Sequence, residues 1–214
     1  MEIRPGVHSF DLPWSYAGYS EPLSVHVLET EEAVVLFGSG AESTTADLLD
    51  VVDGFDLDAV IVEHGDVDHF GGVQTVRESI DDGVDVAVPA GDVHLLEEAG
   101  IEPDIALEPG ERYWGIETIP APGHTPDNMS YLYEEVLVAG DTVAGSDSPF
   151  AMQGGWPGKL APLMDDLHDD VEEALESIAV LGEFEFDVVL TTHGQHVQSD
   201  GSAEIQDLIA ALED

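Results

Sequence analysis

The sequence predicts an α/β domain in which helices cover β-sheets. Continuous apolar runs at 58–63 and 186–192 are typical of buried strands, and segment 111–120 alternates like a half-exposed strand. Segment 168–184 has the spacing of a helix with one apolar face. Strands dominate the first part of the chain and helices interleave later, which favours a layered arrangement. With 43% hydrophobic residues, the chain can bury a sizeable core.

The remaining elements follow from the same patterns, and we expect one domain over residues 1–214. A cap at Ser43 or Thr44 followed by Leu48 and Leu49 indicates a helix. Two apolar runs flanking Glu134-Glu135 indicate a hairpin. The further predicted strands are 23–29, 33–38 and 84–90, the hairpin is 129–140, and the further helices are 43–52, 71–80 and 203–214.

Charge is the strongest bulk signal in the sequence. Asp and Glu total 47 against four Lys and Arg, and the formal net charge is −43. Acids are spread along the whole chain, so we expect a halophile, since about 1 M salt shortens the Debye length to roughly 3 Å and screens self-repulsion. An ordinary acidic protein with a basic partner is the alternative. Nucleic acid is not an expected partner, because phosphate binding relies on clusters of Lys and Arg.

Two absences from the sequence bear on the expected location of the protein and on the ligands available for a metal site. No run approaches the roughly 20 apolar residues of a membrane helix, and "MEIRPGVHSF" does not have the pattern of a signal peptide. We therefore expect a cytoplasmic protein that does not bind a membrane. The sequence contains no cysteine, so a metal site must be built from His, Asp and Glu.

Histidines and aspartates follow four predicted strands, at the place where α/β folds put ligand sites. "HGDVDH" (64–69) follows strand 58–63, and His124, Asp141 and His193 each follow a later strand, beside glycine. In an extended segment, side chains two apart point the same way, so His64 and Asp66 can share one ion. Asp68 and His69 then face a second ion. Imidazole and carboxylate both suit Zn²⁺.

Other histidines do not have this context. His8, His26, His94 and His168 are expected to be structural. His196 is expected at the surface, with a position beside a ligand as the alternative. A lone Asp in so acidic a chain is usually solvated, so Asp66 becomes a candidate ligand only through its place in the histidine loop.

The segments "HGDVDH", "GHTPDN", "AGDTV" and "THG" resemble, in order and context, the metallo-β-lactamase fold hydrolases. The resemblance implies a four-layer αβ/βα sandwich that binds two divalent ions. By resemblance, His64, Asp66 and His124 hold the first ion, Asp68, His69 and His193 hold the second, and Asp141 bridges them.

The chain also departs from the family pattern. Asp66 stands where the family's H-x-H-x-D-H loop has its second histidine, "LFGSG" (36–40) stands where L-I-D-T-G is commoner, and "PDN" and "THGQH" replace the usual P-G and G-H-G turns. A carboxylate at position 66 lowers the charge of the site and favours harder ions. Zinc remains the expected ion because the set is rich in imidazole, and Asp66 makes manganese or iron the alternatives.

The function implied by the resemblance is hydrolysis by a metal-bridged hydroxide. The motifs are most similar to the glyoxalase II-like thioesterases, so a small ester, thioester or lactone is the expected substrate. Asp68 is the expected catalytic residue, and Trp14, Trp156 and Lys159 are expected to contact the substrate. An iron-dependent oxidoreductase similar to persulfide dioxygenases and a non-catalytic metal-binding module are the alternatives.

Overall fold

The computed structural model describes residues 1–81 and 83–213 of the chain. They form two compact units, which we describe separately: Met1–Gly115, and the described residues from Ile116 onward. Each unit contains a sheet with helices packed against it, so the predicted α/β class is confirmed. The expectation of a single domain over 1–214 stays a prediction.

The sheet of the first unit runs in the order β1-β2-β5-β6-β7-β8-β9. Strands β6 to β9 are parallel, so the carboxyl ends of β6, β7 and β8 meet at one edge. The remaining pairs are antiparallel, and β3 and β4 form a separate hairpin. The strands are β1 (Glu2–Arg4), β2 (Val7–Leu12), β3 (Ser15–Tyr16), β4 (Tyr19–Ser20), β5 (Leu23–Glu29), β6 (Val34–Phe37), β7 (Ala59–Ile61), β8 (Asp85–Pro89), β9 (Ile105–Leu107) and β10 (Arg112–Tyr113). The helices are α1 (Thr45–Val52), α2 (Val67–Phe70), α3 (Val73–Ser79) and α4 (Val93–Glu98).

One core holds the sheet and helices of the first unit together. Val60 and Val86 on neighbouring parallel strands pack with Leu48, Val73 and other helix residues, all buried. Their strands are buried on both faces, which is why they appear in the sequence as continuous apolar runs.

The sheet of the second unit has β11, β12, β13 and β16 in that order. Strands β13 and β16 are parallel and place their carboxyl ends at the same edge. The predicted hairpin is confirmed as β12 and β13, and Glu134 takes a positive φ of 52° in its turn. The strands are β11 (Ile116–Pro120), β12 (Met129–Tyr133), β13 (Val136–Gly140), β14 (Ala144–Gly145), β15 (Leu160–Ala161) and β16 (Val188–Thr191), and the helices are α5 (Val171–Leu181) and α6 (Gly201–Leu212).

Helices α5 and α6 cover this second sheet. The carboxylate of Asp170 caps α5 by accepting the Glu173 backbone N–H. Ile178 and Leu181 lie in the core with Val189 and Ile205, so the predicted apolar face of α5 is confirmed.

Three differences from the sequence predictions matter. The strand predicted over 111–120 is wrong, because Trp114 and Gly115 take positive φ and divide it into β10 and β11. Strands β1 and β2 and helix α4 were not predicted. Helix α6 begins two residues before the predicted 203, and Asp214, its predicted last residue, lies outside the described residues. Within residues 1–81 and 83–213, we find no helix with the length and apolar character needed to span a membrane.

Candidate functional site

The first ligand set, consisting of His64, Asp66, Asp68 and His69, lies in the first unit directly after β7. Residues 63–65 bend, and 67–70 form helix α2, with Asp66 at its N-cap. The carbonyl of Asp66 accepts the backbone N–H groups of His69 and Phe70. The expected extended conformation therefore holds for the backbone of Asp66, whereas residues 63–65 bend and the helix begins at Val67.

The side chains of the first set nevertheless converge. His64 Nε2 lies 3.4 Å from Asp66 Oδ2. The rings of His64 and His69 have their centroids 4.0 Å apart, and both side chains are buried. Asp66 is half-exposed and Asp68 is partly buried. The loop thus presents two buried imidazoles beside two carboxylates that reach toward solvent.

Neighbouring segments hold this loop in place. Asp92, which is buried, accepts the Gly65 backbone N–H at 2.7 Å. Ser39 donates from its backbone N–H and from its hydroxyl to the His69 carbonyl, at 2.7 and 2.9 Å. Gly72 allows this approach, because a Cβ at that position would lie 2.3 Å from the Ser39 carbonyl oxygen.

The second ligand set, consisting of His124, Asp141 and His193, lies in the second unit. Asp141 follows β13 and His193 follows β16, so the parallel pairing brings them to the same edge. The Oδ2 atom of Asp141 lies 3.5 Å from His124 Nε2 and 3.6 Å from His193 Nε2. All three residues are buried.

The spacings in both sets fit metal ligands. Two ligands that each lie about 2.1 Å from a tetrahedral ion are about 3.4 Å apart. The three nitrogen–oxygen distances, 3.4, 3.5 and 3.6 Å, are close to that value. They are longer than the usual N–H···O distance of about 2.7–3.2 Å. The residues present therefore fit a divalent metal ion.

A buried polar network surrounds Thr142, the residue that follows Asp141. The Asn128 amide donates to the Ala121 carbonyl at 2.8 Å and to the Thr142 hydroxyl at 3.0 Å. The Thr142 hydroxyl also contacts Ser130 Oγ at 2.9 Å. Asn128 belongs to the unusual "PDN" turn, so this departure has a structural role that the sequence did not indicate.

His168 was predicted to be structural, but it contacts a candidate ligand. Its ring meets His124 edge-on, with centroids 5.6 Å apart, and its Nε2 lies 3.3 Å from the Leu163 carbonyl oxygen. Burial lowers the pKa of His168, and nearby His124 lowers it further, against the opposing effects of the Leu163 carbonyl and Asp141. His196 Nδ1 accepts the Thr191 backbone N–H at 3.3 Å, which ties it to the loop that carries His193.

The three residues predicted to contact the substrate lie in three different local environments. Trp14 stacks on Tyr16 in the β3-β4 hairpin, with centroids 5.4 Å apart. Trp156 packs against the core of the second unit and donates its indole N–H to the Met152 carbonyl. The backbone N–H of Lys159 donates to the side-chain carboxylate of Glu204 in α6. Lys159 is exposed to solvent. Substrate binding by these residues stays a prediction.

The comparison with protein families decides the family. The family model described as "Metallo-beta-lactamase superfamily" matches residues 21–193, most of the chain. The chain belongs to the metallo-beta-lactamase superfamily. This superfamily consists mostly of metal-dependent hydrolases and binds metal ions.

Solved structures confirm the predicted metallo-β-lactamase fold. A metallo-beta-lactamase from Pontibacter korlensis is similar over 100% of this chain and 98% of its own, with a TM-score of 0.76 and 20% identity. A flavo-di-iron protein variant from Thermotoga maritima is similar over 95% of this chain and 58% of its own, with a TM-score of 0.73 and 15% identity.

A curated relative is similar in sequence over a shorter part of the chain. The hydroxyacylglutathione hydrolase of Shewanella denitrificans is 32% identical over 109 residues, which is 50% of this chain and 42% of that protein. The chain spans less than two thirds of the length of the curated relatives it matches first.

All seven predicted ligands are among the residues of their units that could hold a metal ion. Their assignment to two separate ions stays a prediction, as does the role of Asp68. Sequence reasoning missed Asn128 and His168. Asn128 carried one available signal, because it lies four residues after the candidate ligand His124, whereas His168 carried no such signal in the sequence.

Proposed function

We propose that the protein is a hydrolase that uses two divalent metal ions on a small ester, thioester or lactone. Membership of the superfamily supports metal-dependent hydrolysis. The observation that carries the proposal is Asp141, whose Oδ2 faces two imidazole nitrogens at 3.5 and 3.6 Å in a buried position. Three such ligand atoms form a strong donor set for a divalent cation.

The proposed ligand assignment follows the family pattern. Asp141 would serve both ions, and Asp66 would supply a carboxylate where the family has a neutral imidazole. Zinc suits the imidazoles, whereas the added carboxylate raises the preference for manganese or iron. The first ion is assigned to His64, Asp66 and His124, and the second to Asp68, His69 and His193.

The chain's own residues divide the work of hydrolysis. Bound divalent ions supply Lewis acidity that polarises the scissile group and makes a water molecule more acidic. Asp68, partly buried in the first turn of α2, accepts a proton from that water and returns it to the leaving group. His64 and His69, both buried, would hold the ions through their rings.

The β3-β4 hairpin suits a substrate with an apolar or planar acyl part. Tyr16 and Tyr19 are 57% and 45% exposed, which is unusual for large side chains in so polar a surface. Trp14 stacks on Tyr16 with an interplanar angle of 3° and makes the hairpin a flat aromatic surface. We assign Trp14 to substrate contact and keep Trp156 and Lys159 as weaker candidates.

An iron-dependent oxidoreductase, similar to a persulfide dioxygenase, is the second candidate. Asp66 favours it, because its carboxylate lies 3.4 Å from His64 Nε2 and adds a hard oxygen ligand to the first set. The likeness to a flavo-di-iron protein lends support to this second candidate.

The net charge of −43 also informs the proposed setting. We infer a salt-rich cytoplasm, where screening at about 1 M salt relieves repulsion among the acids. The proposed partner is a small-molecule substrate. The same charge argues against nucleic acid as a partner.

The proposal is tested with full-length protein purified without chelator and assayed in about 1 M KCl, where the Debye length is about 3 Å. Metal content is measured by mass spectrometry, and a panel of esters, thioesters and lactones is screened together with oxygen consumption. Zinc or manganese with turnover that chelator abolishes supports the hydrolase. Iron with oxygen consumption supports the oxidoreductase. Metal without either activity contradicts both and indicates a binding module. Asp50→Asn, on the exposed side of α1, is the matched control for each acidic-residue variant.

A further inference from the structure

Glu63 is a buried acid that the proposed ligand sets do not include. It lies two residues after β7, and its side chain is 1% exposed. Its Oε2 lies 3.1 Å from Nδ1 of His69, whose side chain is also 1% exposed. Burying a carboxylate costs free energy of desolvation unless the group is paired. The contact with His69 offsets part of that cost.

Gly38 provides the space that the Glu63 carboxylate occupies. Strands β6 and β7 are parallel neighbours, and the Gly38 backbone N–H donates to the Ile61 carbonyl at 2.9 Å. A Cβ on Gly38 would lie 3.3 Å from both carboxylate oxygens of Glu63. Gly38 also has a φ of +67°, which disfavours most side chains. A side chain at position 38 would therefore require the Glu63 carboxylate to move by a few tenths of an ångström.

This arrangement matches one departure of the sequence from its family. "LFGSG" has glycine at position 38, where the commoner L-I-D-T-G has an acid. In this chain the acid stands at position 63, just after the neighbouring parallel strand β7, and its carboxylate lies beside Gly38.

We propose that Glu63 positions the candidate ligand His69 and that the lack of a side chain at Gly38 leaves room for the Glu63 carboxylate. When a carboxylate oxygen of Glu63 accepts this 3.1 Å hydrogen bond, the ring proton of His69 lies on Nδ1. The lone pair then lies on Nε2, which is the nitrogen left to bind a metal ion. This inference rests on the proposed metal binding by His69.

The rest of the His69 environment is consistent with a fixed ring. Ser39 holds the His69 backbone carbonyl through two hydrogen bonds, at 2.7 and 2.9 Å. Glu63 holds the ring from the opposite end of the residue. Together they fix both backbone and side chain, which reduces the entropy lost when a ligand binds metal. Loss of such a carboxylate partner typically weakens metal affinity by about 10–100-fold.

The first test reads the tautomer directly and needs neither metal nor a variant. In metal-free, full-length protein at alkaline pH, long-range ¹H–¹⁵N NMR spectra report which ring nitrogen of His69 carries the proton. The proposal expects Nδ1–H. A predominant Nε2–H tautomer overturns it, whatever the metal content of the protein.

The second test exchanges the position of the carboxylate. Glu63→Ala should weaken the affinity for Zn²⁺ or Co²⁺ by about 10–100-fold, measured by competition with a chromophoric chelator. Gly38→Asp alone should also weaken binding, because its carboxylate meets that of Glu63. Combining Gly38→Asp with Glu63→Ala should recover at least about tenfold of the affinity lost in Glu63→Ala, since Asp tolerates positive φ better than most residues. Glu97→Gln, on the exposed face of α4, is the control for lost charge.

The outcomes separate this inference from the proposed function. Full affinity in Glu63→Ala, or no recovery in the double variant when circular dichroism shows a native fold, overturns the role of Glu63. Wild-type protein that binds neither metal contradicts the proposed function instead, and the tautomer of His69 still decides whether Glu63 positions the ring.

Discussion

Replacing Asp141 with Asn should have opposite effects on stability with and without metal. Asp141 is only 4% exposed, and its Oδ2 faces two imidazoles at 3.5 and 3.6 Å. Burying a carboxylate costs several kcal/mol of desolvation free energy, and a bound divalent ion offsets that cost. Without metal, Asp141→Asn keeps the volume but removes a buried charge, which should stabilise the protein by about 2 kcal/mol.

These energies convert into measurable melting temperatures. For 214 residues, the unfolding entropy is about 0.45 kcal/mol/K, so 2 kcal/mol raises the melting temperature by about 4 °C. Metal at about a thousand times its Kd stabilises the wild type by about 4 kcal/mol, or about 9 °C. The variant, having lost the oxygen that faces both imidazoles, should gain less than about 2 °C from the same metal.

Differential scanning calorimetry in about 1 M KCl, with chelator and then with zinc or manganese, measures both effects. Asp50→Asn is the control, and it should keep the full metal-induced rise. An Asp141→Asn variant that is less stable than wild type in chelator, or that keeps the wild-type rise with metal, would refute the reasoning.

Three further predictions concern catalysis, the supporting network and charge. Asp68→Ala should reduce turnover by at least about a hundredfold through loss of the proton carrier while leaving the circular dichroism spectrum unchanged, and activity within tenfold of wild type would argue against that role. Asn128→Ala removes two buried hydrogen bonds and should lower the free energy of unfolding by about 2 kcal/mol, as measured by denaturant titration. A loss below about 0.5 kcal/mol would show that the network contributes little to stability. Because the net charge is −43, the melting temperature should rise steeply as KCl increases from about 0.1 to about 1 M, and a melting temperature independent of KCl would contradict adaptation to salt.

The strands that carry the ligand sets could be predicted because parallel strands are buried on both faces. Such strands appear in the sequence as short apolar runs, as in β7, β13 and β16. The residue that follows each run is then placed at the edge of the sheet, which is how His64, Asp141 and His193 were found. The sequence pattern was sufficient to predict these candidate ligands, because residues of metal-binding type stand at positions that follow buried strands.

Other features could not be predicted because they depend on contacts between distant parts of the chain. The role of Glu63 depends on Gly38 in the neighbouring strand, and Asn128 acts through Thr142. Alternation continues through Trp114, so the turn that divides the predicted strand depends on a positive φ that a tryptophan rarely adopts. Strand β2 has an irregular burial pattern, which concealed it.

The most direct test of metal binding by the two ligand sets is the metal content of the full-length protein. Protein purified without chelator and then titrated with zinc or manganese should contain two ions per chain at saturation, as measured by inductively coupled plasma mass spectrometry. Asp141→Asn should reduce this content under the same conditions, whereas Asp50→Asn should not. Saturation below one ion per chain in the wild type would contradict the account.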